Sequence, residues 1–181
     1  MRRSDAGRGA ADSLYCAMAD THLHHATGNC VKSTIALAED ACAQAGVRLT
    51  KIRRRVLEII AAAGTPIGAY AIIDSMARST GTRPAPMTVY RALDFLIERA
   101  LVHRLASRNA YLACDHSHGH DDTVVFLLCE ACTYVGEIAD TQLASIIDAQ
   151  GRAKGFSAQR RLIEVSGLCA ACVVASNATQ G

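Results

Sequence analysis

Two cysteine pairs dominate the chemistry that this sequence can perform. Cys129-Glu-Ala-Cys132 and Cys169-Ala-Ala-Cys172 are matched Cys-x-x-Cys pairs separated by residues 133–168. Two intervening residues let both thiolates of a pair turn towards one ion, and two such pairs complete a closed tetrahedral tetrathiolate site of the kind zinc occupies. A closed site has no open position for substrate, so it staples the fold and does not catalyse. The competing reading is two unrelated pairs of buried or redox-active thiols. A thioredoxin-like motif carries one such pair beside a strand–helix–strand unit, which neither the second pair nor the surrounding pattern fits.

A second set of ligand types is more scattered: His103, Cys114, His116, His118, His120, Asp121, Asp122 and Glu137. Imidazole, thiolate and carboxylate together also suit zinc. A lone strand histidine such as His103 usually has a structural role, but the run Cys114-Asp-His-Ser-His-Gly-His-Asp-Asp122 is dense in ligands. Cations gather elsewhere. Arg48, Lys51, Arg53, Arg54 and Arg55 crowd one short stretch, which could be a solvated helix face or a phosphate-contacting one. Thr88, Tyr90 and Arg91 open a later helical segment, where side chains of a recognition helix reach base edges; Tyr70 opens the segment before it. The DNA-facing candidates are therefore Arg48, Lys51, Arg54, Tyr70, Thr88, Tyr90 and Arg91.

The elements that must position these groups follow from hydrophobic period. Val31, Ile35, Ala38, Cys42 and Ala45 recur at helical spacing up to Gly46, with Cys42 a core residue and no ligand. Thr50 can cap a second helix burying Ile52, Val56, Ile59, Ile60 and Ala63, and Gly64 and Pro66 end it. A third helix turns Ala69, Ile72, Ile73 and Met76 inward. Arg83-Pro-Ala-Pro86 is a turn, because the residue before a proline disfavours helix. A fourth helix buries Val89, Leu93, Leu96 and Ala100.

From there the period falls towards two. Strands are expected at 101–106 and 110–114, joined through Ser107-Arg-Asn109, then at about 123–128, 133–139 and 159–165, with a helix between the last two that turns Leu143, Ile146 and Ile147 inward. The expected fold class is α+β. A tail (1–30) precedes a winged helix-turn-helix unit (31–114), a hinge (115–122) and a small α/β unit (123–175), and residues 176–181 form a short tail. A unit of about 60 residues is marginal alone and needs a metal or a partner subunit.

Composition sets limits. The chain has 181 residues, half of them apolar and 20% charged, so it is globular. Aromatics make up 4%, leaving cores of Ile, Leu, Val and Ala. A net charge of +2 does not by itself argue for nucleic acid; the local clustering of Arg does. Arg2 and Arg3 are not followed by an apolar stretch, and no run approaches a bilayer span, so a cytoplasmic protein is expected. Eight cysteines in that compartment favour metal over a disulfide framework. His22, His24 and His25 fall in the expected tail.

Taken together, Val47-Arg-Leu-Thr50, Thr88-Val-Tyr-Arg-Ala-Leu-Asp-Phe-Leu96, Leu101-Val-His103, Tyr111-Leu-Ala-Cys114, the Cys129/Cys132 pair and Gly167-Leu-Cys-Ala-Ala-Cys172 resemble the ferric-uptake-regulator superfamily, specifically its zinc-uptake-regulator branch. The likeness spans about residues 31–175. It implies a homodimer on palindromic operator DNA that represses zinc-acquisition genes when zinc is replete, and two zinc ions per chain. By position, Cys129, Cys132, Cys169 and Cys172 hold a structural zinc, and His103, Cys114 and Glu137 match ligands of a regulatory one. That branch has a histidine where this chain has Asp122, so the fourth ligand is Asp122, His120 or His118, with His120 preferred. The histidine-rich motif of the iron regulators is absent before Cys129.

Three other functions compete: a sensor of iron, manganese or peroxide in the same family, a zinc hydrolase or thiol oxidoreductase, and a zinc ribbon serving only as an interaction staple. The hydrolase lacks an open metal position beside a general acid or base, and the ribbon leaves the Arg cluster and Thr88–Arg91 without a use. A regulator, not an enzyme, is expected.

Overall fold

A computed structural model describes residues 28–114, 123–158 and 161–178. The expected hinge (115–122) and most of the expected N-terminal tail lie outside the described residues.

Helix α1 (Gly28–Gln44) places Ile35, Ala38 and Cys42 at successive turns of one face, and all three are buried. It begins upstream of the expected Val31. Helix α2 (Lys51–Ala63) buries Val56, Leu57, Ile59, Ile60 and Ala61, and ends on Gly64, whose φ of 60° is the left-handed conformation that glycine adopts without strain. Thr50 is its N-cap residue, but its hydroxyl makes no capping hydrogen bond. Strand β1 (Ile67–Gly68) is too short to carry a periodic signal and was not expected. It leads into helix α3 (Ala69–Thr80), which buries Ala69, Ile72, Ile73 and Met76 and closes on Gly81 at φ 69°.

Helix α4 (Pro86–Glu98) starts on a proline, whose fixed φ suits a first helical position, and buries Val89, Ala92, Leu93, Phe95 and Leu96. It stops before Ala100, which leaves the helix at φ 55° and is only partly buried. Strands β2 (Val102–Leu105) and β3 (Ala110–Ala113) form an antiparallel hairpin closed by residues 106–109, and β3 also pairs with β1. Asn109 sits at φ 46°, tolerable because asparagine accepts left-handed geometry better than most residues. Helices α1 to α4 and one face of this sheet enclose a single aliphatic core that includes Tyr111. This is a winged helix-turn-helix: α3 and α4 are its paired helices, and β2–β3 is its wing.

The second half is a three-stranded sheet in the order β5-β4-β6, built from β4 (Val124–Cys129), β5 (Val135–Ala139) and β6 (Leu162–Gly167). β4 pairs with β5 antiparallel and with β6 parallel. Parallel pairing needs a crossover, which helix α5 (Thr141–Ala153) supplies. Asp140 caps α5 by accepting from the amides of Gln142 (2.7 Å) and Leu143 (3.1 Å). Arg161 donates to both carboxylate oxygens of Asp148 on the helix, Nε to Oδ1 at 2.8 Å and Nη2 to Oδ2 at 2.6 Å. Helix α6 (Ala170–Ala178) follows β6 and was not expected; its small residues carry little periodic signal.

One expectation is corrected. Leu143, Ile146 and Ile147 were expected to face inward, yet α5 has no buried residue and Ile146 is 59% exposed. The helix is amphipathic, but among the described residues its apolar stripe is only partly covered, Leu143 and Ile147 being half-buried.

The two halves meet through a second apolar cluster. Leu105 and Leu112 of the wing pack against Val124, Phe126, Leu128, Val135 and Leu162 of the second sheet. Phe126 is completely buried there. Replacing Phe126 with alanine is expected to cost about 3–5 kcal/mol of unfolding free energy, read by urea denaturation. A loss under about 1 kcal/mol would mean that the junction is not packed.

Candidate metal centre and nucleic-acid interface

Strand pairing brings the four cysteines together. β4 ends at Cys129, β6 runs beside it to Gly167, and Cys169 follows two residues later. Their sulfurs and those of Cys132 and Cys172 lie within 4.8 Å of one another, Cys132 to Cys169 being 3.8 Å. Four sulfurs placed tetrahedrally at a zinc–sulfur distance of about 2.3 Å stand about 3.8 Å apart, so the cluster fits that ion. All four thiols are free of disulfides. Backbone amides point at two of them: Cys169 N–H donates to Cys129 Sγ and Tyr134 N–H to Cys132 Sγ, each at 3.4 Å.

The ionisation pattern has a physical cause. The Cys169 amide is the main influence that draws Cys129 down to about 6, so this sulfur is a thiolate at neutral pH. The Tyr134 amide pulls Cys132 down, but the Cys129 sulfur and burial outweigh it and leave that thiol raised. Hydrogen bonding with Cys169 first, then with Cys132 and Cys129, pushes Cys172 up to about 12. A cluster that deprotonates once and resists further loss of protons wants a cation at its centre.

The second ligand set lies where wing and sheet meet. Cys114 N–H bonds to the Leu101 carbonyl at 3.0 Å, continuing the register that sets Val102 opposite Ala113 and His103 opposite Leu112. The pleat therefore puts His103 and Cys114 on one face of the wing, and both are buried. The His103 ring meets Phe126 edge-on, with centroids 5.1 Å apart, and Glu137 is paired beside Phe126 on β5. His103, Cys114 and Glu137 thus share one junction. They do not close into a second group at ligand distance among the described residues. His120, with its alternatives His118 and Asp122, lies outside the described residues.

The cationic residues take different positions. Arg48, Lys51, Thr88 and Arg91 are exposed, and Tyr70 is 65% exposed. Thr50, Ile52, Arg53, Thr88, Arg91 and Ala92 line a cleft of about 210 Å³ between the N-terminal ends of α2 and α4. Arg53 stacks on Phe95, its guanidinium carbon 3.4 Å from the ring centroid, and donates to the Arg48 carbonyl at 3.0 Å. Arg54 is paired with Glu39 and Glu58, so its charge is locally balanced. Tyr90 is half-buried against the helical core.

One contact set had no signal in the sequence. Glu164 on β6 accepts from the amides of Ala106 (2.6 Å) and Ser107 (3.1 Å) and from the Ser107 hydroxyl. Arg108 donates to the Cys129 carbonyl. Burial acts to raise the Glu164 carboxyl, but the Ser107 hydroxyl, the two amides and Arg108 outweigh it and hold it low. The group is therefore ionised at neutral pH, and its contribution is lost only as pH falls through that lowered value. Partners 57 and 58 positions apart leave no local pattern to read.

Comparison with known proteins was decisive at one level. The ferric uptake regulator family model matches residues 44–166. The chain belongs to the ferric uptake regulator family. Within it, the chain is 37% identical over 139 residues to the zinc uptake regulation protein of Escherichia coli (strain K12), covering 77% of this chain and 81% of that protein. It is 44% identical to holo XcZur in its crystal structure (TM-score 0.69; 77% of this chain, 96% of that one). It is 35% identical to a zinc uptake regulator complexed with zinc and DNA (TM-score 0.74; 81% and 97%).

For this family member, zinc uptake by the reduced chain at neutral pH should release protons, Cys132 and Cys172 being the thiols held highest. The apparent zinc affinity should fall as pH is lowered. A pH indicator in weak buffer reads the release. Binding without proton loss would exclude thiolate ligation.

Proposed function

We propose that this chain is a zinc-responsive transcriptional repressor. It binds palindromic operator duplex as a homodimer when zinc-loaded, acts in the cytoplasm, and represses genes for zinc uptake. The observation that supports this reading is the placement of His103 and Cys114 on one face of the wing, with His103 edge-on to Phe126 and Glu137 paired beside Phe126 in the second sheet. An ion held there would touch both halves at once. Relatives named for zinc uptake regulation, one of them complexed with DNA, support the choice of zinc.

The reading takes two zinc ions per chain. Cys129, Cys132, Cys169 and Cys172 would hold a structural one, and His103, Cys114, Glu137 and His120 a regulatory one. Residues 31–114 would form the DNA-binding unit, 115–122 the hinge, and 123–175 the unit for dimerisation. Zinc supplies a divalent charge that neutralises clustered thiolates and links ligands from separate elements. The residues themselves then do the positioning: His103 and Cys114 from the wing and Glu137 from β5 set the angle between the halves. Such a switch works if the DNA-competent angle is a minor population without metal.

Dimerisation has its own support. Ile138 and Val165 lie exposed on the sheet face opposite Phe126, and the stripe on α5 is only partly covered among the described residues. A second copy would bury both. No helix among the described residues is long and apolar enough to cross a membrane.

DNA contact would run through Arg48, Lys51, Arg54, Tyr70, Thr88, Tyr90 and Arg91, with Thr88 and Arg91 nearest the recognition role. Of these, Arg54 would first have to exchange its carboxylate partners for phosphate. Arg91→Ala should cost about 1–3 kcal/mol of operator binding, and Lys51→Ala should lower the salt slope by about 1. The deciding experiment titrates binding to the chain's own upstream DNA against buffered free zinc, for wild type, His103→Ala and Cys114→Ser. Zinc should promote binding by wild type, and both variants should lose the response while keeping one tightly held zinc. Operator affinity indifferent to zinc, or responsive to Fe(II) or Mn(II) instead, would overturn the proposal.

A further inference from the structure

We propose that Glu164 is a positioning residue for DNA binding: its carboxylate caps the wing turn and so fixes the angle between the winged helix and the second sheet. This rests on the DNA-binding reading above. Three donors from two consecutive residues, the amides of Ala106 and Ser107 and the Ser107 hydroxyl, converge on the two oxygens of this one carboxylate. Convergence of that kind is directional. The carboxylate is ionised and accepts hydrogen bonds at both oxygens, which makes each bond stronger than a neutral one.

The apolar junction around Phe126 supplies most of the attraction between the halves, but hydrophobic contact has little directional preference. Leu105 and Leu112 could slide across Val124 and Leu128 with modest loss. The Glu164 bonds define one register for that contact, because a slide of a residue would break all three. Arg108, next in the turn, adds a second tie to the Cys129 carbonyl, at the edge of the thiol cluster. The turn is therefore pinned at two points, on β6 and at the end of β4.

The wing then transmits its position. β2 packs against α4, the helix that carries Thr88 and Arg91, so an orientation imposed on residues 106–108 is imposed on α4 as well. In a dimer joined through the second sheets, that angle sets the separation of the two α4 helices, which must match the half-site spacing. The arrangement closed by Glu164 is the one that resembles the zinc- and DNA-complexed relative, at a TM-score of 0.74 over 81% of this chain. Glu164 lies on none of the elements that the DNA would touch, and it is not among the thiol ligands. Its effect would be exerted through the wing alone.

The test compares wild type, Glu164→Gln and Ser107→Ala as full-length, zinc-loaded protein. Glu164→Gln keeps shape and removes the charge, and one amide group of its own would face the donors of the turn. Ser107→Ala removes one donor from an exposed turn and carries little risk to folding. Operator affinity at saturating zinc should fall about tenfold for Glu164→Gln and about threefold for Ser107→Ala, with the melting temperature and tightly bound zinc retained. Hydrogen exchange should quicken at the Ala106 and Ser107 amides in Glu164→Gln while amides of α2 and α4 keep wild-type protection. A purely structural role would instead lower the melting temperature or the zinc content, which would overturn the proposal. So would operator affinity within twofold of wild type, or unchanged exchange at the two amides. Wild type that does not bind operator in response to zinc would defeat the DNA-binding reading itself, a result seen before any variant is compared.

Discussion

Four sulfurs within 4.8 Å of one another are the constraint on which the second half of the molecule depends. β4 and β6 are parallel neighbours paired as far as Cys129 and Gly167, and no short turn joins those ends as one would in an antiparallel hairpin. The two Cys-x-x-Cys pairs stand where those ends come together, one starting at the last residue of β4 and the other just after β6. An ion bound there would add a tie across strand ends that the Glu130 amide already joins to the Gly167 carbonyl. The thiols resist becoming four thiolates without it, since each ionisation makes the next less favourable. The sheet and the cluster are therefore mutually dependent: pairing gathers the sulfurs, and a cation among them secures the pairing.

The junction beside this cluster obeys a different logic. Its attraction is apolar, centred on Phe126, while its chemistry is polar: His103 edge-on to that ring, Cys114 on the same wing face, and Glu137 on the neighbouring strand. His103 and Cys114 are buried in this junction, so its polar groups lie within the packed contact. The helical core behind it, from Ile35 to Tyr111, is a separate cluster. The buried residues thus divide into a helical core and a cluster that spans the junction itself.

Legibility in the sequence followed the range of the interactions. Helices α1 to α4 were readable because their buried faces repeat every three to four residues, as at Val56, Ile59 and Ile60. The wing was readable from alternation and a three-residue turn. β1 was missed because two residues have no period, and α6 because Ala, Val and Ser in a short stretch have no distinct face. Thr50 was read correctly as the cap position, though its hydroxyl does not make the bond that the residue type suggests. The error on α5 has a specific origin. Amphipathicity reports that a face is to be buried, but not by which chain, and among the described residues Leu143 and Ile147 are only half-buried and Ile146 is exposed.

By itself the sequence determined the thiol pairs, the order of helices and strands, and the family, because ligand spacing and hydrophobic period are local properties. The tertiary structure decided which distant residues meet. It set Cys129 beside Cys169, Phe126 against His103, and Glu164 under the turn at Ala106 and Ser107. It also turned Arg53 onto Phe95 and Arg54 towards Glu39 and Glu58, dividing a run of cations that looked uniform. Contacts between residues tens of positions apart depend on strand register and packing angle, which no local pattern encodes.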